Sequence, residues 1–203
     1  MARVLITGAS GFIGRPALDQ LITGGHEVHC LARNAGDVAG AIYHHVDLLG
    51  DGKTLAGLIC EIKPQSLLHL AWSVEPGAFW QDRNNLDWLA ASFRLYRAFV
   101  AAGGTRMVSA GSAAEYDWSL ANTAQPLDET ASALMPATLY GQTKKSLFDV
   151  LTPAAALDGV SLAAGRIFFL YGPGEKPGRV VSDVIVNLLQ SRPVETTVGT
   201  QRL

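Results

Sequence analysis

Directly after the apolar run Val4-Leu5-Ile6-Thr7 the chain reads Gly8-Ala9-Ser10-Gly11-Phe12-Ile13-Gly14, and from Ile13 to about Ile22 its apolar residues fall at helical spacing. A strand, a glycine turn and a helix in that order have a specific use. The first glycine allows a tight turn, the second lets backbone approach a ligand closely, and the third lets the helix pack close. The helix N-terminus then offers free N–H groups and partial positive charge to phosphate. A dinucleotide pyrophosphate is therefore expected against Gly8, Ser10, Gly11, Phe12, Ile13 and Gly14. The plain alternative is a glycine-rich turn with no ligand, and the strand-to-helix context weighs against it.

Strand and helix patterns alternate through the rest of the chain. Strands are predicted at Glu27 to Ala32, Ile42 to Val46, Ser66 to Leu70, Arg106 to Ala110 and Ser161 to Phe169. Helices are predicted at Lys53 to Ile62, Asn85 to Ala102, Thr138 to Leu151 and Val180 to Leu189. Such alternation means an α/β fold, a doubly wound parallel sheet with right-handed crossovers. The segment from Glu115 to Pro136, with Asp117, Asn122, Pro126 and Asp128, is too rich in turn formers for a core element and is expected to wall a site. Glu115 itself lies near the site, where contact with substrate is one reading, and is expected as a loop carboxylate in water.

Composition removes several functions. The net charge is −2, and no cluster of Lys or Arg is dense enough to follow a nucleic-acid backbone. The N-terminal residues lack the pattern of a secretory signal, and no span reaches the roughly 18 uninterrupted apolar residues of a membrane helix. Cys30 and Cys60 are expected to be buried thiols in a reducing cytoplasm. His44 and His45 have no partner at metal-ligand spacing, and no metal is expected.

A second constellation carries chemistry. Tyr140 and Lys144 stand at i and i+4, so a phenol and an ammonium share one helix face. The lysine charge and a positive nicotinamide ring would pull the phenol pKa down, making Tyr140 a general acid or base, with Lys144 also holding the cofactor ribose. Ser109-Ala110-Gly111-Ser112 ends the fifth strand, where open parallel sheets place their ligands. Ser112 is expected to bond the reacting oxygen, with Ser109 as the competitor.

Two residues separate the first pair of glycines, and in this the stretch Thr7 to Gly14 resembles the extended short-chain dehydrogenases, the NAD-dependent epimerase/dehydratase (sugar-nucleotide epimerase) family. The run Ala110 to Tyr116 resembles that family's serine segment, with Ser112 at the catalytic place. The resemblance implies Asp47 and Leu48 against the adenine, and Leu70, Ala71 and Trp72 lining the nicotinamide half of the cofactor. It implies that Arg166 and Tyr171-Gly172-Pro173-Gly174 begin the substrate pocket, with Phe169 where many epimerases hold an asparagine and Arg202 reaching the nucleotide pyrophosphate. Ala113 and Ala114 occupy the places of a dehydratase's acidic pair, which disfavours dehydration. The family's helix asparagine has no clean match, Asn84 and Asn85 lying slightly early and Trp88 standing nearer the expected place.

The expected architecture is a Rossmann-type domain over residues 1–170, followed over 171–203 by only the beginning of a small C-terminal substrate domain, the sequence ending inside the family segment that carries Arg202. The expected function is NAD(P)-dependent epimerase or reductase chemistry on a nucleotide sugar by reversible hydride transfer. The cofactor is NAD or NADP; Arg33, with no acid at the end of the second strand, favours NADP because its planar fork can pair with a 2′-phosphate, unless it stacks on adenine or points to solvent. A reductase of a non-sugar carbonyl, using Trp72, Phe79, Trp80 and Trp118, and a non-catalytic dinucleotide sensor are the alternatives. A homodimer through the helices Asn85 to Ala102 and Thr138 to Leu151 is a further expectation of the resemblance.

Overall fold

Six short strands with apolar interiors pair side by side, all parallel, in the order β3-β2-β1-β4-β5-β6. The computed structural model describes residues 1–34, 36, 38–75, 77–120 and 126–194. The strands are β1 (Arg3–Thr7), β2 (Glu27–Ala32), β3 (Ala41–His45), β4 (Ser66–His69), β5 (Arg106–Ser112) and β6 (Ser161–Ile167). The helices are α1 (Gly14–Thr23), α2 (Gly52–Ile62), α3 (Asn84–Ala101), α4 (Leu139–Asp158) and α5 (Val180–Leu189). The order reverses between β1 and β4, which opens the crevice where ligands of such sheets bind.

The main core lies on the face covered by α2, α3 and α4, where Leu5, Leu55, Ile59, Leu95, Phe99, Met107 and Leu147 are fully enclosed. Each such side chain contributes roughly 1.5–3 kcal/mol by leaving water. On the other face, Ile6, Ala9, Val28 and Cys30 pack beneath Leu18 of α1. Cys60 corrects the expectation of two buried thiols: it is exposed on α2, while Cys30 is buried and its thiol is pushed up to about 11 by that burial. Helix spacing around Cys60 explains this, because its neighbours Ile59 and Ile62 take the inward face.

Two element ends differ from the sequence expectation in ways that matter to the site. β5 continues past Ala110 to Ser112 because β6 pairs with it throughout, from Arg106 opposite Ser161 to Ser112 opposite Ile167. β6 itself ends at Ile167, two residues before the expected Phe169. α4 continues past Leu151 through Pro153 to Asp158 and closes on Gly159 in a left-handed conformation, φ 67°. Pro153 removes one helical hydrogen bond, and its exposed position leaves water to satisfy the freed carbonyl while Leu151 and Ala155 stay buried.

Candidate active site

α1 begins on the glycine turn with Ile13 at its cap and without a side-chain cap bond, whereas Asp51 caps α2 and Thr138 caps α4. Gly8 takes φ 75°, and a Cβ there would stand 2.7 Å from the amide nitrogen of Ala71. Gly14 needs its hydrogen even more, since a Cβ would meet the Gly8 carbonyl at 2.0 Å. Its close approach is thus to the turn, which lets α1 start directly over it. Ser10 and Gly11 are exposed at the tip, and Phe12 and Ile13 are half-buried. The tip of the turn is open and no side chain caps the α1 N-terminus, the kind of helix end that suits phosphate.

The carboxyl end of β4 is tied to this turn by a directed chain of buried hydrogen bonds. The Ala71 N–H donates to Thr7 Oγ1 at 3.2 Å, and Thr7 Oγ1 lies 2.7 Å from His69 Nδ1. On the other side His69 Nε2 lies 2.9 Å from Ser92 Oγ, whose hydroxyl donates to the Trp88 carbonyl at 2.7 Å. Ser92 can then only accept from His69, which fixes the Nε2–H tautomer and leaves Nδ1 to accept from Thr7. Complete burial, with a smaller push from Lys144, holds the His69 pKa down at about 3, so the ring is neutral. Leu70 and Ala71 are half-buried beside the turn.

Tyr140 and Lys144 occupy the buried face of α4, at 7% and 3% exposure, and both meet the carboxyl ends of the central strands. Lys144 Nζ donates to the Ala110 carbonyl at 2.9 Å and sits 4.0 Å above the Trp72 ring. Burial lowers its pKa to about 7, and Glu115 works against that. Tyr140 is enclosed by edge-on rings, Phe79 at 4.9 Å, Trp80 at 5.9 Å and Trp72 at 6.5 Å between centroids. Its pKa is raised, first by burial; a hydrogen bond with the Ser112 side chain works the other way, and Glu115 adds to the rise. In the protein itself, then, the phenol pKa is raised rather than lowered, with burial the largest cause.

The interaction of Ser112 with Tyr140 brings the predicted serine and phenol together at one point. Ser109 is buried and its hydroxyl donates to the His69 carbonyl at 3.3 Å, so the competitor is engaged in holding β4 to β5. Gly141 permits α4 to come this close, since a Cβ on it would lie 2.3 Å from the Ala114 carbonyl.

The remaining predicted positions are distributed around this centre. Arg33 is exposed just past β2; Asp47 is exposed and accepts the Leu49 N–H at 3.0 Å. Leu48 is buried in the core, with its carbonyl accepting from Arg94 at 3.3 Å. Phe169 is 70% exposed beside Trp118, and Arg202 and Asn122 lie outside the described residues. His44 stacks on His29 and pairs with it at 2.9 Å.

Two residues were missed as participants. Asn85 is buried, accepting from Trp72 Nε1 at 2.8 Å and donating to the carbonyls of Phe79 and Asp82, which fixes the aromatic wall around Tyr140. Glu115 corrects the expectation of a solvated loop carboxylate. It is wholly buried, because a short 3-10 turn over Ala113–Glu115 directs it inward toward Arg166 of β6. Only its place three residues after Ser112, in capping-box spacing, carried a signal.

The model of the NAD-dependent epimerase/dehydratase family matches residues 4–202. The chain belongs to that family. It is 25% identical over 217 residues to a protein of Rhizobium meliloti named "Probable UDP-glucuronate 4-epimerase", covering 95% of this chain and 60% of the relative. It is 27% identical over 196 residues to the dTDP-6-deoxy-L-talose 4-dehydrogenase (NAD(P)(+)) of Kitasatospora kifunensis, covering 94% and 59%. Among solved structures, the UDP-N-acetylglucosamine 4-epimerase of Bacillus cereus shares the fold at TM-score 0.79 and 19% identity, over 95% of this chain and 64% of that one. MoeE5, solved with UDP-glucuronic acid and NAD, superposes at TM-score 0.72 with 28% identity, over 95% and 63%. The chain therefore spans about 60% of the length of the curated relatives.

Proposed function

We propose that this member of the epimerase/dehydratase family binds a nicotinamide dinucleotide and catalyses reversible hydride transfer at a hydroxyl carbon of a nucleotide sugar, as an epimerase or a reductase. The observation that carries the reading is the buried Tyr140–Lys144 pair, one helical turn apart, meeting Ser112 at the carboxyl end of β5. The names of the relatives, sugar-nucleotide epimerases and a dehydrogenase, support the same chemistry. The glycine turn and the α1 N-terminus would hold the pyrophosphate, Leu70, Ala71 and Trp72 would line the nicotinamide half, and Asp47 and Leu48 the adenine. A bound nicotinamide supplies the acceptor and donor of the hydride.

In this assignment Tyr140 Oη takes the proton of the hydroxyl being oxidised and returns it on reduction. Ser112 Oγ hydrogen-bonds the same oxygen. Lys144 Nζ orients the cofactor ribose and stabilises the phenolate during transfer. Phe79, Trp80 and Trp72 exclude water from the phenol. The substrate would reach outward past Phe169, and residues 171–203, including Arg202, would open a substrate-binding region attached to the dinucleotide-binding domain of residues 1–170. Gly172 supports that continuity, since a Cβ on it would lie 3.9 Å from Phe12 of the glycine turn.

For the cofactor, exposed Arg33 at the end of β2 supports NADP, and the relatives' names include both NAD and NAD(P). Calorimetric titration with NADH and NADPH decides between them: tighter NADPH binding that Arg33→Ala abolishes is expected, and tighter NADH binding indifferent to Arg33→Ala refutes it. No helix among the described residues is long and apolar enough to cross a membrane, and together with the free thiols this supports a cytoplasmic location. A homodimer through α3 and α4 is proposed from family resemblance, and light scattering tests it. Turnover assays with UDP-, GDP-, CDP- and dTDP-sugars test the activity. Production of a C4 epimer or a reduced sugar supports it, and inertness toward all four classes with turnover of a simple ketone would reassign it.

A further inference from the structure

The carboxyl end of β5 carries an ion pair with a wholly buried carboxylate that the Ser–Tyr–Lys constellation leaves unexplained. Glu115 has no exposed surface. Its Oε1 accepts the Ser112 backbone N–H at 2.7 Å, and its Oε2 accepts from Arg166 Nε at 3.0 Å. Strand pairing places Arg166 there, opposite Gly111 in the β5–β6 register. Gly111 must be bare, because a Cβ would stand 2.6 Å from Glu115 Oε1. Ser112 Oγ accepts the Ala114 N–H at 3.1 Å, closing a capping box around the turn. A buried carboxylate with its counter-ion is a poor device for stability alone, since apolar replacements of such pairs are often neutral or stabilising.

We propose that Glu115, clamped by Arg166, is a positioning residue that anchors Ser112 and sets a fixed negative charge beside Tyr140 and Lys144. The proposal rests on the assignment of Tyr140 as the proton-transfer group. Among the described residues, the groups facing that phenol are Ser112 from β5, Glu115 from the turn after it with Arg166 of β6 behind, Lys144 on its own helix, neutral His69 of β4 beyond, and the uncharged rings of Phe79, Trp80 and Trp72. The carboxylate raises the pKa of both Tyr140 and Lys144, adding to desolvation at the phenol and opposing it at the ammonium. It therefore favours the protonated form of each, and at the phenol that is the acid form that reduction of a carbonyl requires.

The test is a spectroscopic titration of the Tyr140 phenol in the full chain, isolated as the difference from the same protein carrying Tyr140→Phe. Glu115→Gln keeps an oxygen for the Ser112 N–H and removes the charge. The Tyr140 midpoint should then fall, and the alkaline limb of the pH–rate profile should fall with it. Should the single variant not fold, Glu115→Gln with Arg166→Gln replaces the ion pair by a neutral one and carries the same expectation. A midpoint unmoved or raised in a folded variant overturns the proposal. Turnover surviving Tyr140→Phe would instead sink the proton-transfer assignment, and the phenol midpoint separates the two failures.

Discussion

Replacing Lys144 by methionine removes a charge that folding forces out of water. The Lys144 pKa falls from an ordinary 10.5 to about 7 because its ammonium is buried, its support being the Ala110 carbonyl and the Trp72 ring. At about 1.4 kcal/mol per pH unit, that drop sets a ceiling of about 5 kcal/mol on what the buried ammonium costs the folded state. The sign follows from proton counts. Between pH 7 and 10.5 the unfolded chain holds the Lys144 proton and the folded chain does not, so wild-type stability rises with pH across that window. Below pH 7 both states hold it and the full cost applies. Lys144→Met should therefore be the more stable protein at pH 6, by up to about 5 kcal/mol, and its advantage should shrink by about 1.4 kcal/mol per pH unit above 7. Guanidinium denaturation of both proteins from pH 6 to pH 10 reads the difference, in which titrating groups not coupled to Lys144 cancel. A gap that does not change with pH, or a wild type more stable at pH 6, refutes the reasoning.

His69 acts in the same direction, but in acid. Its ring stays neutral to about pH 3, so stability should fall as the unfolded chain takes up the proton below 6.5, by about 1.4 kcal/mol per pH unit; His69→Asn should flatten that slope in acid denaturation, and an unchanged slope refutes it. Gly141→Ala should destabilise, because a Cβ 2.3 Å from the Ala114 carbonyl forces α4 off the Ser112 turn; overpacking at about 1–3 kcal/mol outweighs a helix-propensity gain of about 1 kcal/mol, and unchanged denaturation would show the contact to be soft.

Much of the fold was legible because its signals are local. An apolar strand ending in Gly8 and a helix opening at Gly14 is a contiguous pattern, and the observed β1 and α1 fall on it. Tyr140 and Lys144 likewise share a helix, and one helix turn fixes their relation. What was not legible depends on partners distant in the chain. The burial of Glu115 requires Arg166, 51 residues onward, brought beside it only when β6 pairs with β5. The bonds from Asn85 to Trp72 and from His69 to Ser92 likewise join a strand end to the face of α3. The rise in the Tyr140 pKa was missed for the same reason: charge can be counted in a sequence, whereas desolvation by the rings of Phe79, Trp80 and Trp72 exists only after packing.

Single-turnover hydride transfer with Tyr140→Phe is the most direct test, followed by nicotinamide absorbance with saturating cofactor and the nucleotide sugar found active. Loss of the phenolic proton carrier should leave cofactor affinity within a few-fold and slow transfer by roughly 10²–10⁴-fold. Transfer at the wild-type rate from a variant that still binds the cofactor would show that the phenol at the end of β5 is packing, and that the chemistry lies elsewhere.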